Sequence, residues 1–319
     1  MQRLRSLPLN VPQLRAVVLL VLLHMATQSA GAQSVRPTVY EETGTFQSPS
    51  LRESSGVAVS RRQPGILWTH NDSGDNARIF ATNLRGADLG EFAVRGAEAV
   101  DWEDIAVGPC PHIDEGESCL YIADTGDNEE RRRRAAIYIV PEPNVPAGGG
   151  RSDERTDRAR RLRIRYPDKP RDVEALAVTP AGDVILVSKG RGGPVIVYSI
   201  PADETDRDSV TVAILDTLPI DAGRNLGSMV TGAAVSTGGG RFVVRTYTQL
   251  HFFSRQPDGK WELDGPPCWL GTRQAQGEAV DFLDEESVVL TSEATPGRAG
   301  GIAVVSCAPT EHSAGHKGR

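Results

Sequence analysis

From residue 53 to residue 306 short apolar runs alternate with clusters of turn formers and carboxylates, and no stretch carries the 3.6-residue spacing of an amphipathic helix. The runs recur in a fixed order. A small apolar core opens each unit: Val57-Ala58-Val59, Ile105-Ala106-Val107, Leu176-Ala177-Val178, Ala233-Ala234-Val235 and Val280-Asp281-Phe282. A turn rich in Pro, Gly, Asp or Glu leads to a second strand at 65–69, 119–123, 183–188, 241–244 and 287–292. A third fits 78–82, 135–140, 194–200, 249–254 and 301–306, and a more polar fourth fits 87–94, 161–166, 210–216 and 260–268. Four antiparallel strands at a period of roughly 40 to 50 residues predict an all-β fold, a β-propeller. Five blades are visible, and a sixth fits only if the interval 188–229 conceals a degenerate one. The last unit has no fourth strand of its own, so a strand at 38–46 is expected to supply it and close the ring. A β-sandwich would not produce a fivefold internal repeat. The stretch 141–160, rich in Pro, Gly and mixed charge, reads as a mobile loop.

Residues 1–32 change the picture of where the protein works. Arg3, Arg5 and Arg15 precede an apolar run from Ala16 to Leu23, and small residues end at Ala30-Gly31-Ala32. This is the pattern of a secretory signal peptide cut near Ala32, too short for a comfortable membrane span. The expectation is a secreted or periplasmic protein with one propeller domain at 33–308, a disordered tail at 309–319 and no membrane insertion after cleavage. The full chain carries a formal net charge of −7 and the leader is basic, so the mature surface is more acidic still. Such a surface disfavours nucleic acid. The run Arg131 to Arg134 beside Glu129 and Glu130 accordingly reads as a solvated, locally neutralised edge. Four cysteines behind a leader favour disulfides, and of three possible pairings Cys110–Cys119 with Cys268–Cys307 is preferred. Zinc is disfavoured because no pair has C-x-x-C spacing.

Aligning the units also aligns their polar residues. Two positions before each apolar core stand Ser55, Glu103, Glu174, Thr231 and Glu278; four before it stand Glu53, Asp101, Asp172, Met229 and Gln276. At the end of the second strand stand Asp72, Asp124, Lys189, Arg245 and Glu293. In a propeller the start of strand one and the end of strand two share a rim, so these residues should ring the mouth of the central channel. Oxygen-rich donors in irregular array suit calcium, with Glu53, Asp72, Asp101, Asp124, Asp172 and Glu293 as candidate ligands. Glu103, Glu174 and Glu278 are candidate bases, and Lys189 and Arg245 candidate charge stabilisers. In the bland alternative the acids pair with Lys189, Arg245 and backbone amides and hold blades together. His70, in Trp68-Thr69-His70-Asn71, is either a general base or a structural residue packed on Trp68. His112 and His251 read as loop and edge residues, and His312 and His316 fall in the tail. The two D-(S/T)-G-D-N turns, 72–76 and 124–128, are good hairpin loops that also place Asp72 or Asp124 where either could look inward.

The motifs E-x-S-G-V-A-V (53–59), W-T-H-N-D-S-G (68–74), D-W-E-D-I-A (101–106), Y-I-A-D-T-G-D-N (121–128), D-V-E-A-L (172–176), V-R-T-Y (244–247) and Q-G-E-A-V (276–280) resemble secreted bacterial β-propeller proteins of the phytase-like, or esterase-like, kind. The resemblance covers nearly all of the chain after the leader. It implies a calcium-dependent hydrolase of phosphate esters, esters or lactones with metal and substrate at the channel mouth. The chain departs from an alkaline phytase in offering few cationic residues for a highly anionic substrate. The competing expectation is a non-catalytic binding module whose mouth takes a cationic, sugar-like or protein ligand.

Overall fold

The computed structural model of the chain describes residues 36–308, apart from 112–115, 147, 150–153, 224 and 258. The leader and tail, with His112, His312 and His316, lie outside the described residues. Strand β1 (Thr38–Thr45) comes first. Blade 1 follows as β2 (Ser54–Val59), β3 (Leu67–Asn71), β4 (Arg78–Thr82) and β5 (Gly90–Arg95). Blade 2 is β6 (Trp102–Pro109), β7 (Ser118–Asp124) and β8 (Ala135–Pro141); β9 (Glu154–Arg158) then leaves it before β10 (Arg160–Arg165) completes it. Blade 3 is β11 (Val173–Val178), β12 (Val184–Ser188) and β13 (Val195–Ile200), with β14 (Ser209–Thr211) preceding its outer strand β15 (Ala213–Leu218). Blade 4 holds β16 (Val230–Val235), β17 (Arg241–Thr246), β18 (Gln249–Arg255), β19 (Trp261–Leu263) and β20 (Cys268–Trp269). Blade 5 is β21 (Gly277–Phe282), β22 (Ser287–Ser292) and β23 (Gly301–Cys307), and β1 pairs antiparallel with β23 as its outer strand.

The inner strands β2, β6, β11, β16 and β21 touch in sequence and β21 returns to β2, so the ring closes on five blades. The interval 188–229 holds β13, β14 and β15 and no sixth blade. Both faces of each sheet meet a neighbouring blade, which is why strands such as β12, VILVS, and β13, VIVYSI, read as continuous apolar runs. Five clusters of buried side chains follow, one between each pair of adjacent blades. Trp68 and Trp102 fill the cluster between blades 1 and 2; Phe242 and Trp261 fill that between blades 3 and 4.

The expected loop at 141–160 contains a strand. β9 lies parallel to β5 on the rim of blade 1, and β14 likewise lies parallel to β10 on the rim of blade 2. Edge strands with one solvent face need little apolar patterning, and β9 reads ERTDR. His251 also departs from expectation, being buried in β18 and held neutral because burial lowers its pKa to about 4.

Both expected disulfides form. Cys110–Cys119 staples the β6–β7 hairpin, and Cys268–Cys307 ties blade 4 to the strand on which β1 closes the ring. Loop entropy puts their contributions at about 2.5 and about 4 kcal/mol. In urea unfolding, Cys268→Ala with Cys307→Ala is therefore expected to cost more stability than Cys110→Ala with Cys119→Ala; the reverse order would show that the second bridge does not restrain ring closure.

Candidate functional site at the channel mouth

All five inner strands carry a bulge at the same place. Ser54 pairs with Asn71 and Gly56 with His70, leaving Ser55 without a cross-strand partner; Glu103, Glu174 and Thr231 are skipped in the same way, and Glu278 and Ala279 together face Thr291. A bulge re-aims the extra residue, so the column Ser55, Glu103, Glu174, Thr231 and Glu278 forms as expected. The column before the strand is fixed by a repeated backbone bond. The carbonyls of Glu53, Asp101, Asp172, Met229 and Gln276 accept from the N–H groups of Asp72, Thr125, Lys189, Tyr247 and Glu293.

That second set corrects the third column. Asp124 sits one residue before its expected place and Arg245 two. Asp124 is the equivalent of Asn71: its Oδ1 accepts from Asp101 N at 3.0 Å, as Asn71 Oδ1 accepts from Glu53 N at 3.0 Å, and it also binds Arg132 Nη2 at 2.6 Å. It clamps backbone and a guanidinium instead of joining the carboxylate clusters. Arg245 is the equivalent of His70, and both lie in a buried layer beneath the mouth. Its Nη1 donates to Ala279 O and Thr291 O and its Nη2 to Gln274 Oε1, so it ties blade 4 to blade 5. Burial lowers its pKa to about 10. His70 is fully buried and edge-on to Trp102 at 5.5 Å, and burial holds it neutral. Neither position suits a catalytic group at the mouth. Glu53 is exposed and lies outside the carboxylate clusters.

The remaining acids converge. Carboxylate oxygens of Asp72, Asp101 and Glu103 lie within 4.8 Å of one another, as do those of Glu103, Asp172 and Glu174, so Glu103 belongs to both triads. Gly126 walls the first of them, and a Cβ there would overlap Glu103 Oε1. Asp172 Oδ1 accepts from Asp127 N at 3.0 Å, while its Oδ2 is buried without a hydrogen-bond partner among the described residues. Lys189 donates to Glu174 Oε1 at 2.7 Å. Burial, then the charge of Glu174, pushes Glu103 well up; burial also raises Glu174 despite Lys189. For Lys189 burial opposes the charge, and the adjacent Glu174 reverses this and raises its pKa. Burial and Asp72 raise Asp101 to about 6. Across the mouth, Glu278 is hydrogen-bonded by Tyr247 and raised by burial to about 7, and Glu293 is raised to about 8 by burial and then by Glu278.

Two residues at the site were not singled out in the sequence. Tyr247 completes the true column and was present in the V-R-T-Y motif without a role. Asp104 occupies the position that is Gly56, Ala175, Gly232 or Ala279 in the other blades, where a Cβ on Gly56 would already come within 2.6 Å of Ile105 N. Its Oδ2 accepts from Leu176 N at 2.9 Å and Ala233 N at 3.4 Å, and its Oδ1 from Ile105 N at 2.9 Å, so one side chain joins three inner strands. Burial keeps its pKa high even against these donors. The departure of blade 2 from a small-residue column was the available signal.

With this geometry in view, the comparisons place the chain by architecture. No family model and no curated protein matches it. Among solved structures, the PQQ-bound form of aldose sugar dehydrogenase from Streptomyces coelicolor superposes with a TM-score of 0.50 at 14% identity, over 86% of this chain and 100% of that one. The protein is a five-bladed β-propeller. At that identity the likeness is one of fold, and it carries neither PQQ nor sugar oxidation across.

Two outcomes follow. Asp104→Ala leaves buried N–H groups of three inner strands without an acceptor, at about 1–3 kcal/mol each. It should cost more than about 3 kcal/mol in urea unfolding, and Asp104→Asn, which keeps an acceptor oxygen, clearly less. Separately, Asp101, Glu278 and Glu293 have folded-state pKa values above their ordinary ones of 3.8 and 4.5. The folded state therefore holds protons that the unfolded chain has released. Stability in chelator should be greatest on the acid side and fall as pH rises from about 4 to about 8. Thermal melts across pH 4.5–9 check this, and a flat profile would show the acids to be compensated within the protein.

Proposed function

We propose that the protein is an exported propeller that binds a divalent cation of the calcium type at its channel mouth, and that it is a cation-dependent hydrolase acting there on phosphate esters, esters or lactones. The observation that carries the reading is the pair of carboxylate triads sharing Glu103, with Asp172 Oδ2 buried and unpartnered beside it. Oxygens bound to calcium at 2.3–2.6 Å lie at most about 5 Å apart, the spacing the triads already have. Asp72, Asp101, Glu103, Asp172 and Glu174 would hold the ion. A bound cation would relieve the repulsion among these acids, polarise a substrate oxygen and acidify a bound water. Glu278, oriented by Tyr247 on the opposite side, is placed to take up and return a proton. Lys189, held by Glu174, supplies positive charge. Two disulfides and the leader pattern support export.

The binding-module reading is favoured by one observation: with Arg245 and His70 buried below the mouth, two expected catalytic groups are gone. Substrates decide between the readings.

Thermal unfolding in excess calcium and in excess chelator tests the cation. Saturation at a hundredfold over Kd is worth about 2.7 kcal/mol, so wild type should melt several degrees higher with calcium and Glu103→Gln should lose the gain. Identical melts would overturn the cation site. In a panel of phosphoester, ester and lactone substrates, Glu278→Gln should lose at least a hundredfold in kcat while still gaining stability from calcium. No turnover by calcium-loaded wild type would overturn the hydrolase and leave the binding module.

A further inference from the structure

On the rim of blade 2, beside the mouth and joined to it through Arg132, a groove of about 560 Å³ is lined by Arg132, Arg133, Arg134, Arg165 and Lys169, with Asp168 as its one acid. Arg132 is engaged by Asp124, Lys169 pairs with Glu130, and Asp168 pairs with Arg171. Arg133, Arg134 and Arg165 are exposed, and none of them makes an ion pair among the described residues. Their placement follows from strand register. β8 and β10 pair Ala135 with Ile164 at this end of the sheet, and Arg134 and Arg165 are the next residues beyond that pair, both lining the groove. The sequence reading of this run as a neutralised edge holds for Arg131 and Arg132, which pair with Glu129 and Asp124, and fails for Arg133 and Arg134.

We infer that this groove is a docking site for an acidic polysaccharide, whose carboxylates would be gripped by Arg133, Arg134 and Arg165. The groove is far larger than a single inorganic anion needs, and a guanidinium fork matches a carboxylate in plane with two hydrogen bonds. A single-stranded nucleic acid is a poorer match, because such strands are held by stacking on aromatic rings and Tyr166 is the one aromatic residue lining the groove. The protein as a whole is acidic, but at physiological salt charges beyond about 8 Å are screened and the local cluster governs a bound chain. This assignment is independent of any chemistry at the mouth.

The test uses the full mature chain with its disulfides intact and oligogalacturonate as probe, starting at about 0.15 M salt. Wild type should bind the oligomer, more weakly as salt is raised, and its Tm should climb with oligomer concentration. Arg165→Gln should bind at least tenfold more weakly, and Arg133→Gln should lose binding in the same way. Unchanged binding in both variants would overturn the site. So would equal binding of a neutral maltooligosaccharide, tighter binding of an oligodeoxynucleotide of matched charge, or a response to inorganic sulfate as large as that to the oligomer.

Discussion

Five strand edges face one another across the axis of this ring, and an edge is a row of N–H and C=O groups with no ladder partner. Side chains from neighbouring blades supply partners to several of them. Ser55 Oγ donates to Glu103 O, Thr231 Oγ1 to Glu278 O, and Thr125 Oγ1 to Val173 O. Asp281 accepts from Val59 N, and Asp104 reaches two further strands. The requirement explains why polar residues penetrate the middle of an all-β core, and why the third position of the inner strand is small wherever it is not Asp104. The mouth is the upper end of the same arrangement, with the difference that its acids outnumber the donors at hand.

How much of this was legible depended on which interaction set each position. Blade number and the bulge column could be read from the chain because each is written locally and five times, and both disulfides followed from four cysteines behind a leader. The end of the second strand could not. The turns D-S-G-D-N and D-T-G-D-N are alike in sequence, yet Asp72 is level with Thr125, and Asp124 with Asn71. Turn chemistry is local, whereas level is fixed by the ladder, and β7 continues one residue further into its turn than β3 does. Arg245 shows the same limit: its charge suggested the surface, and three acceptors that lie close only in the fold keep it inside.

Burial also sorts the mouth into two halves. Around Glu103 the carboxylates crowd one another, with Lys189 engaged on Glu174 at one end of the group. Around Glu278 the acids are fewer and a tyrosine hydroxyl is in reach. Residues from all five blades contribute, so altering one blade changes the composition of the mouth without disturbing the interblade packing that carries the ring.

The outer strands β9 and β14 bear on how the chain reaches this state. Each belongs by sequence to one blade and by pairing to the one before, so blade 1 acquires its last strand only after most of blade 2 has been made. β1 waits longer still, for β23 at the far end of the sequence. Folding is thus non-local from its first strand to its last. A chain of this kind closes slowly, and one exported before folding would cross the membrane with its first strand still unpaired.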